Sequence, residues 1–348
     1  MPPKTEFLTN DPLTRKKWAR ELFSIILPAV EFNDLVGKGK DSIVQMNTDL
    51  AKGEGDEMTF GIRLPLTGEG VVGNDAVEGN EEKLIFRNFK LTIEELNHAV
   101  DTGGKMEEQR VPYNLLQEGK GGLQDWWADK LSNMVIATLC GDTTFKIAGK
   151  TFAQACTDPD TSHWLRVNDI ASDALLTSAD IIDLNFLDRM KQLAEMPTTV
   201  GAFKLRPLKI GGKSYFRVIL HTYVFDRMRQ NMNIGQWGDL VRSAGKLQQP
   251  NVEFEYNGML VSKSERVRKS PTNSSVYRNV LLGAQAAVWA WGGAGDSKST
   301  TMSFVPYTRD AERFMNVRGG GILGCKKVKF NDMDFGIITG SSWGAALD

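Results

Sequence analysis

Met58-Thr59-Phe60-Gly61-Ile62-Arg63-Leu64-Pro65-Leu66 alternates strictly, with Met58, Phe60, Ile62, Leu64 and Leu66 on one side and Thr59, Gly61, Arg63 and Pro65 on the other. Successive side chains of an extended chain point to opposite faces, so this is the pattern of a half-buried strand. A second strand-like stretch, Leu84 to Ile93, places Phe89, Leu91 and Ile93 on one face, and the glycine-rich, acidic segment Thr67 to Glu82 lies between the two. Together they predict a long β-hairpin with a broad tip. Two strands alone are marginal in water and expose unpaired backbone edges, so the ribbon needs a neighbouring subunit to lie on.

Beyond the hairpin, Met106 to Gly141 carries Val111, Leu115, Leu123, Trp127, Leu131, Val135 and Leu139 on a four-residue repeat, the stripe of a long helix with one buried face. Gly119, Gly121 and Gly122 weaken its middle, each by about 1 kcal/mol relative to alanine. Trp126 and Trp127 are assigned to packing. Ahead of the hairpin, Asn10-Asp11-Pro12 starts an amphipathic arm helix with Trp18, Leu22 and Ile26 four residues apart, ending near Pro28. Its polar face, Arg15, Lys16, Lys17 and Arg20, is a solvated surface or a dock for an acidic partner.

Asp142 to Ala179 holds turn residues and no clear element, so it is a connection or small insertion. Asn185 is placed to cap a helix over Phe186 to Met196 that Pro197 closes, with Leu187, Met190 and Ala194 inward. Lys204 to Tyr307 mixes strand-like Tyr215 to Leu220, helix-like Tyr223 to Met232, strand-like Val252 to Tyr256 and the small-residue run Gly283 to Ala287, as a second α+β domain would. Gly321 to Trp343 is strand-rich again and is expected to return to the first domain.

Composition narrows the function. The 348 residues carry 42 basic and 43 acidic side chains, a formal charge of -1, which argues against a protein that grips nucleic acid by neutralising many phosphates. Cys140, Cys156 and Cys325 form neither a disulfide framework nor a C-x-x-C motif, which suits a reducing cytoplasm. Ile25-Ile26-Leu27 is too short for a secretion signal, and the longest apolar run, Val280 to Trp291, is about half of a bilayer crossing. No membrane partner is expected.

Several motifs imitate chemistry. Gly68, Gly70 and Gly73 match G-x-G-x-x-G after a strand, but a pyrophosphate site needs a helix start next, and Asp75, Glu78, Glu81 and Glu82 follow instead. Gly292 to Ser299 approaches a P-loop through Lys298 and Ser299, with Ser297 where the second fixed glycine belongs and an extended segment after it, so a soluble nucleotide-binding enzyme is the remote alternative. His98, His163 and His221 are in no paired-ligand pattern, and Asp158, Asp160 and His163 read as a turn in which aspartate bonds nearby amides. No catalytic residue, cofactor or metal is assigned.

The residues that carry a family likeness are Thr9-Asn10-Asp11-Pro12, Lys52 to Gly61, Leu66-Thr67-Gly68-Glu69-Gly70, Glu78-Gly79-Asn80-Glu81-Glu82, Gly104 to Arg110, Leu282 to Ala286 and Asp334-Phe335-Gly336. In that order and spacing the chain resembles the N-four-type major capsid proteins of tailed phages, of the Hong Kong ninety-seven capsid fold. The resemblance implies an α+β chain with an N-terminal arm (residues 1–48), an extended hairpin loop (49–95), a peripheral domain (96–199) with a spine helix at about 106–141, an axial domain (200–306), and C-terminal strands (307–348) returning to the peripheral domain. It also implies a virion shell of hexamers and pentamers around double-stranded DNA, assembled in the host cytoplasm, with portal, scaffold and decoration proteins as further partners. The related alternative is an encapsulin-type compartment. On this reading the intersubunit residues are Gly68, Glu69, Gly70, Asp75, Glu78, Glu81 and Glu82 at the tip, meeting Arg15, Lys16, Lys17 and Arg20 of a neighbour.

Overall fold

The computed structural model describes residues 33–49, 55–63, 66, 68–73, 76–84, 86–110, 115–197, 204–244, 251–293 and 302–347. The segment expected to form the arm helix, with Arg15, Lys16, Lys17 and Arg20, and residues 294–299 of the P-loop-like stretch lie outside them.

In chain order, β1 (Val36–Gly37) and β2 (Val44–Asn47) precede the hairpin of β3 (Glu57–Arg63) and β4 (Phe86–Thr92). The strand β5 (Glu94–Gly104) then leads into a short helix α1 (Lys105–Arg110) and the spine helix α2 (Leu115–Cys140). After β6 (Trp164–Arg166) come α3 (Leu184–Glu195), β7 (Leu208–Ile210), β8 (Lys213–His221), α4 (Thr222–Asn231) and α5 (Ile234–Ala244). The rest is strand: β9 (Phe254–Tyr256), β10 (Met259–Ser264), β11 (Val276–Leu282), β12 (Ala287–Trp291), β13 (Met302–Arg309), β14 (Phe314–Lys327), β15 (Lys329–Phe330), β16 (Met333–Asp334) and β17 (Ile337–Trp343).

Two sheets share one hydrophobic core. The six-stranded sheet runs β1-β2-β12-β14-β13, with β5 paired along β14, and α2 packs on β5 and β14. The seven-stranded sheet runs β6-β17-β11-β8-β10-β9, with β7 on β8. The apolar run Val280 to Trp291 is divided between them: β11 ends at Leu282 in one sheet and β12 begins at Ala287 in the other. The turn between is held by bonds from Gly283 N to Gly336 O and from Ala284 N to Arg206 O, at 2.8 and 2.7 Å.

Leu123, Trp127, Leu131, Val135 and Leu139 of α2 are buried, as the four-residue repeat requires. Helix is described over Lys105–Arg110 and again over Leu115–Cys140, after the strand Glu94–Gly104. Gly119 is where α2 crosses β5: a Cβ there would lie 2.9 Å from Thr102 Cγ2. The cap of α3 is Asp183 and not Asn185: the Asp183 carboxylate accepts from Phe186 N at 2.8 Å, and the Asn185 amide turns back to donate to Asp183.

Candidate assembly interface

The hairpin is antiparallel, with Met58 opposite Leu91 and Phe60 opposite Phe89, so the alternating apolar residues of both strands share one face. At the base this face is covered: Phe89 and Leu91 are buried with Val288, Ala290 and Val328, and Phe60, Ile93 and Phe335 pack at the margin. Lys326 reinforces the seat by donating to Lys90 O at 2.8 Å and lying 5.1 Å from the Phe89 ring centre. Further along the ribbon other apolar side chains are exposed, and Phe86, opposite Arg63 and three residues from Phe89, lies on the other face. Leu66, Val72, Val77, Leu84 and Phe86 are 62, 83, 67, 54 and 59% exposed, half of the exposed large apolar side chains of the molecule's described part.

The tip is ordered by its own acids. Glu82 accepts from Gly68 N at 2.7 Å and Glu81 from Gly79 N at 2.8 Å, while Asn80 Nδ2 donates to Ala76 O at 2.9 Å. The sequence-predicted tip residues therefore divide by role. Gly68, Glu81 and Glu82 tie the loop together, Glu69, Gly70 and Glu78 are exposed, and Asp75 lies outside the described residues. The apolar side chains beside them escaped the sequence reading. Leu66, which the alternating pattern places with Met58 and Phe60 on one side of a half-buried strand, faces solvent. The G-x-G-x-x-G glycines belong to this irregular tip, and the next described regular element is β4, a strand and not a phosphate-facing helix.

The other candidates are structural. Asp160 caps the turn Thr161–His163, accepting from Ser162 N at 2.7 Å and from the His163 ring at 2.7 Å, and it also takes Asp334 N at 2.7 Å. Asp158 receives Arg278 Nη1 at 3.0 Å. Burial opposes ionisation of Asp160, but the bonds from His163, Ser162 and Asp334 outweigh it and hold the carboxyl well below the ordinary range. Lys327 and Asp334 pair at 2.8 Å in full burial, linking the end of β14 to β16. Burial pushes the Lys327 ammonium down and the Asp334 carboxyl up, and their attraction works against both shifts. Among the described residues no group of three or more histidine, cysteine or acidic side chains is placed to hold a metal. His98 stacks on Trp126 at 4.3 Å and His221 on Tyr277 at 3.7 Å, so the histidines serve packing at separate places.

Among the described residues the ribbon is thus seated at its base and carries exposed apolar side chains beyond it. The model of the phage capsid protein family matches residues 6–345. This chain belongs to that family. The capsid protein is 27% identical over 135 residues to the major capsid protein of Pseudomonas phage KPP25, a match spanning 38% of this chain and about a third (35%) of that protein's length. Its fold is similar to that in the capsid of Ralstonia phage GP4, with TM-score 0.81, 22% identity and 90% of each chain covered. It is similar also to that in the Cyanophage Pam1 capsid, with TM-score 0.69, 18% identity, and 91% of this chain and 92% of the other covered. The capsid protein therefore has the Hong Kong ninety-seven capsid fold that the sequence resemblance implied.

Proposed function

We propose that this chain is the major subunit of a tailed-phage head, closing an icosahedral shell of hexamers and pentamers around double-stranded DNA in the cytoplasm of the host. The observation that carries this is the hairpin, whose outer half presents five large apolar side chains to solvent while its base is locked in the subunit's own core. Leaving such a row exposed is unfavourable, so the stable state is one in which a sister subunit covers it. Contacts of moderate strength, repeated by rotation, then sum to a stable particle. The role is architectural, with no reaction and no cofactor. Portal, scaffold and decoration proteins would meet the finished lattice.

The layout supports assigning the six-stranded sheet with α2 to the peripheral domain and the seven-stranded sheet with α4 and α5 to the axial domain. On that assignment β12 and the first part of β13 lie inside residues 200–306 but join the peripheral sheet, while β6 and β17 lie outside that range but join the axial sheet. Membership of the phage family favours this reading over an encapsulin-type compartment. Deleting residues 67–82 should leave a folded subunit that sediments as small species and forms no closed particles by electron microscopy. Normal shells from that variant would refute the scheme, and particles from the native chain loaded with protein instead of DNA would favour the compartment.

A further inference from the structure

Between the C-terminal half of α2, the loop after it and the segment following β10 lies a cleft of about 500 Å³, continuous through Asn133, Asp142, Thr144 and Arg268 with a second of about 400 Å³. Its walls carry five cations, Lys130, Lys146, Arg266, Arg268 and Lys269, against two carboxylates, Asp142 and Glu265. Two of the cations are fixed: Arg266 bonds Asp129 at 2.8 Å, and Arg268 bonds Asn133 Oδ1 at 3.0 Å with its guanidinium 5.2 Å from the Phe145 ring centre. Lys146 and Lys269 are exposed at the rim. The wall is not purely ionic, since Phe145, Ile147 and Pro271 add apolar surface.

We infer that this cleft receives the hairpin tip of a second copy of the chain, with Val77 and Glu78 entering and Glu69 at the rim. The inference rests on the shell reading and adds the acceptor to it. Residues 66–84 hold five acids, Glu69, Asp75, Glu78, Glu81 and Glu82, and the single base Lys83, so the tip is the acidic complement of the cationic cleft. Glu81 and Glu82 are engaged with tip amides, which presents Glu69 and Glu78 outward on a loop already organised for docking. Val72 and Val77, 83 and 67% exposed, match the apolar part of the wall. A protruding loop fits a concave site between a helix and a loop. The opposite charges then steer subunits together and set the register in which they lock.

The test uses full-length chains assembled into shells. Glu78→Cys combined with Lys146→Cys should give disulfide-linked chains on mild oxidation, absent from either single variant. Lys146→Glu with Lys269→Glu should slow assembly roughly tenfold at low salt and much less at high salt. Adding Glu69→Lys and Glu78→Lys to that variant should restore the rate. Both lysines are exposed, so an unchanged urea midpoint will confirm that the subunit still folds. Native-rate assembly of the charge-reversed chain, with no disulfide in the double-cysteine shells, would overturn the cleft while leaving the shell reading standing. Loss of assembly on neutralising Arg15, Lys16, Lys17 and Arg20 alone would move the acceptor to the arm, and salt-sensitive DNA binding that Lys146→Glu abolishes would assign the cleft to nucleic acid. Failure of the native chain to form any shell would defeat the shell reading itself.

Discussion

Leu91→Ala and Phe86→Ser, five residues apart on β4, should fail in opposite ways. Leu91 is fully buried in the hairpin seat, against Val288, Ala290 and Val328. Truncation removes about three carbons' worth of burial at roughly 0.8 kcal/mol each, and the cavity left behind brings the loss to roughly 2–5 kcal/mol. The urea midpoint of the unassembled subunit should fall accordingly. Phe86 is 59% exposed, so its replacement should change the unfolding free energy by no more than about 0.5 kcal/mol and leave that midpoint nearly where it was. In a shell it has most to gain: covering a phenylalanine completely is worth about 1.5–3 kcal/mol, and the exposed share corresponds to roughly 1–2 kcal/mol at every copy of the contact. Sedimentation velocity should therefore show a raised critical concentration for Phe86→Ser, with a subunit as stable as the native one. The reasoning fails if Phe86→Ser destabilises the lone subunit as much as Leu91→Ala does, or if it assembles at the native concentration.

Two further outcomes follow from single positions. Gly121→Ala should raise stability by about 1 kcal/mol, because nothing lies within 4 Å of the new methyl and the helix gains propensity. Gly119→Ala should lower it by roughly 1–3 kcal/mol, since the methyl meets Thr102 Cγ2 at 2.9 Å and Thr102 is pinned by its hydroxyl bond to Met315 O; equal urea midpoints for the two variants would contradict the close crossing. Burial drives the His221 imidazole down from 6.5 to about 4, with nearby Lys269 adding to the shift and a backbone bond at Glu265 opposing it. The folded chain thus holds His221 neutral where the unfolded chain takes up a proton, so this contribution is complete above pH 6.5 and is lost as pH falls toward about 4. His221→Gln should flatten the decline in thermal midpoint across that window, and an unaltered slope would remove the histidine from the account.

What could be read from sequence depended on whether the physics was local. The α2 stripe was legible because helix geometry alone brings residues four apart onto one face. The hairpin was legible because both strands alternate and their partner is the next segment along the chain. The β5 strand was not: Leu96, His98 and Val100 share its half-buried face, but a histidine among polar neighbours is a weak signal, and its partner β14 lies more than 200 residues away. β14 is further disguised by Gly319, Gly320 and Gly321, since glycines weaken the strand signal. The structure shows why Gly319 is there: a Cβ would come within 2.7 Å of Leu123 Cδ2, so the sheet gives up a side chain to let the spine helix close on it.

The same distinction decides how the interface itself should be read. Charge is visible in a sequence, and the acids of the tip were chosen for that reason, yet Glu81 and Glu82 spend their carboxylates on Gly79 N and Gly68 N. Exposure of an apolar side chain is invisible until it is known what the fold leaves uncovered. Phe89 and Leu91 lie on the ribbon face that meets β12, whereas Phe86, an odd number of residues away, lies on the other face and is 59% exposed. If the outward acids steer docking and the exposed apolar side chains supply the adhesion, the two kinds of substitution separate under salt. Glu78→Gln should change the rate of assembly more than the stability of shells, most strongly at low ionic strength, because exposed charges are screened beyond about 10 Å at 0.1 M salt. Phe86→Ser should weaken finished shells at every salt concentration, since burial of apolar surface does not depend on screening.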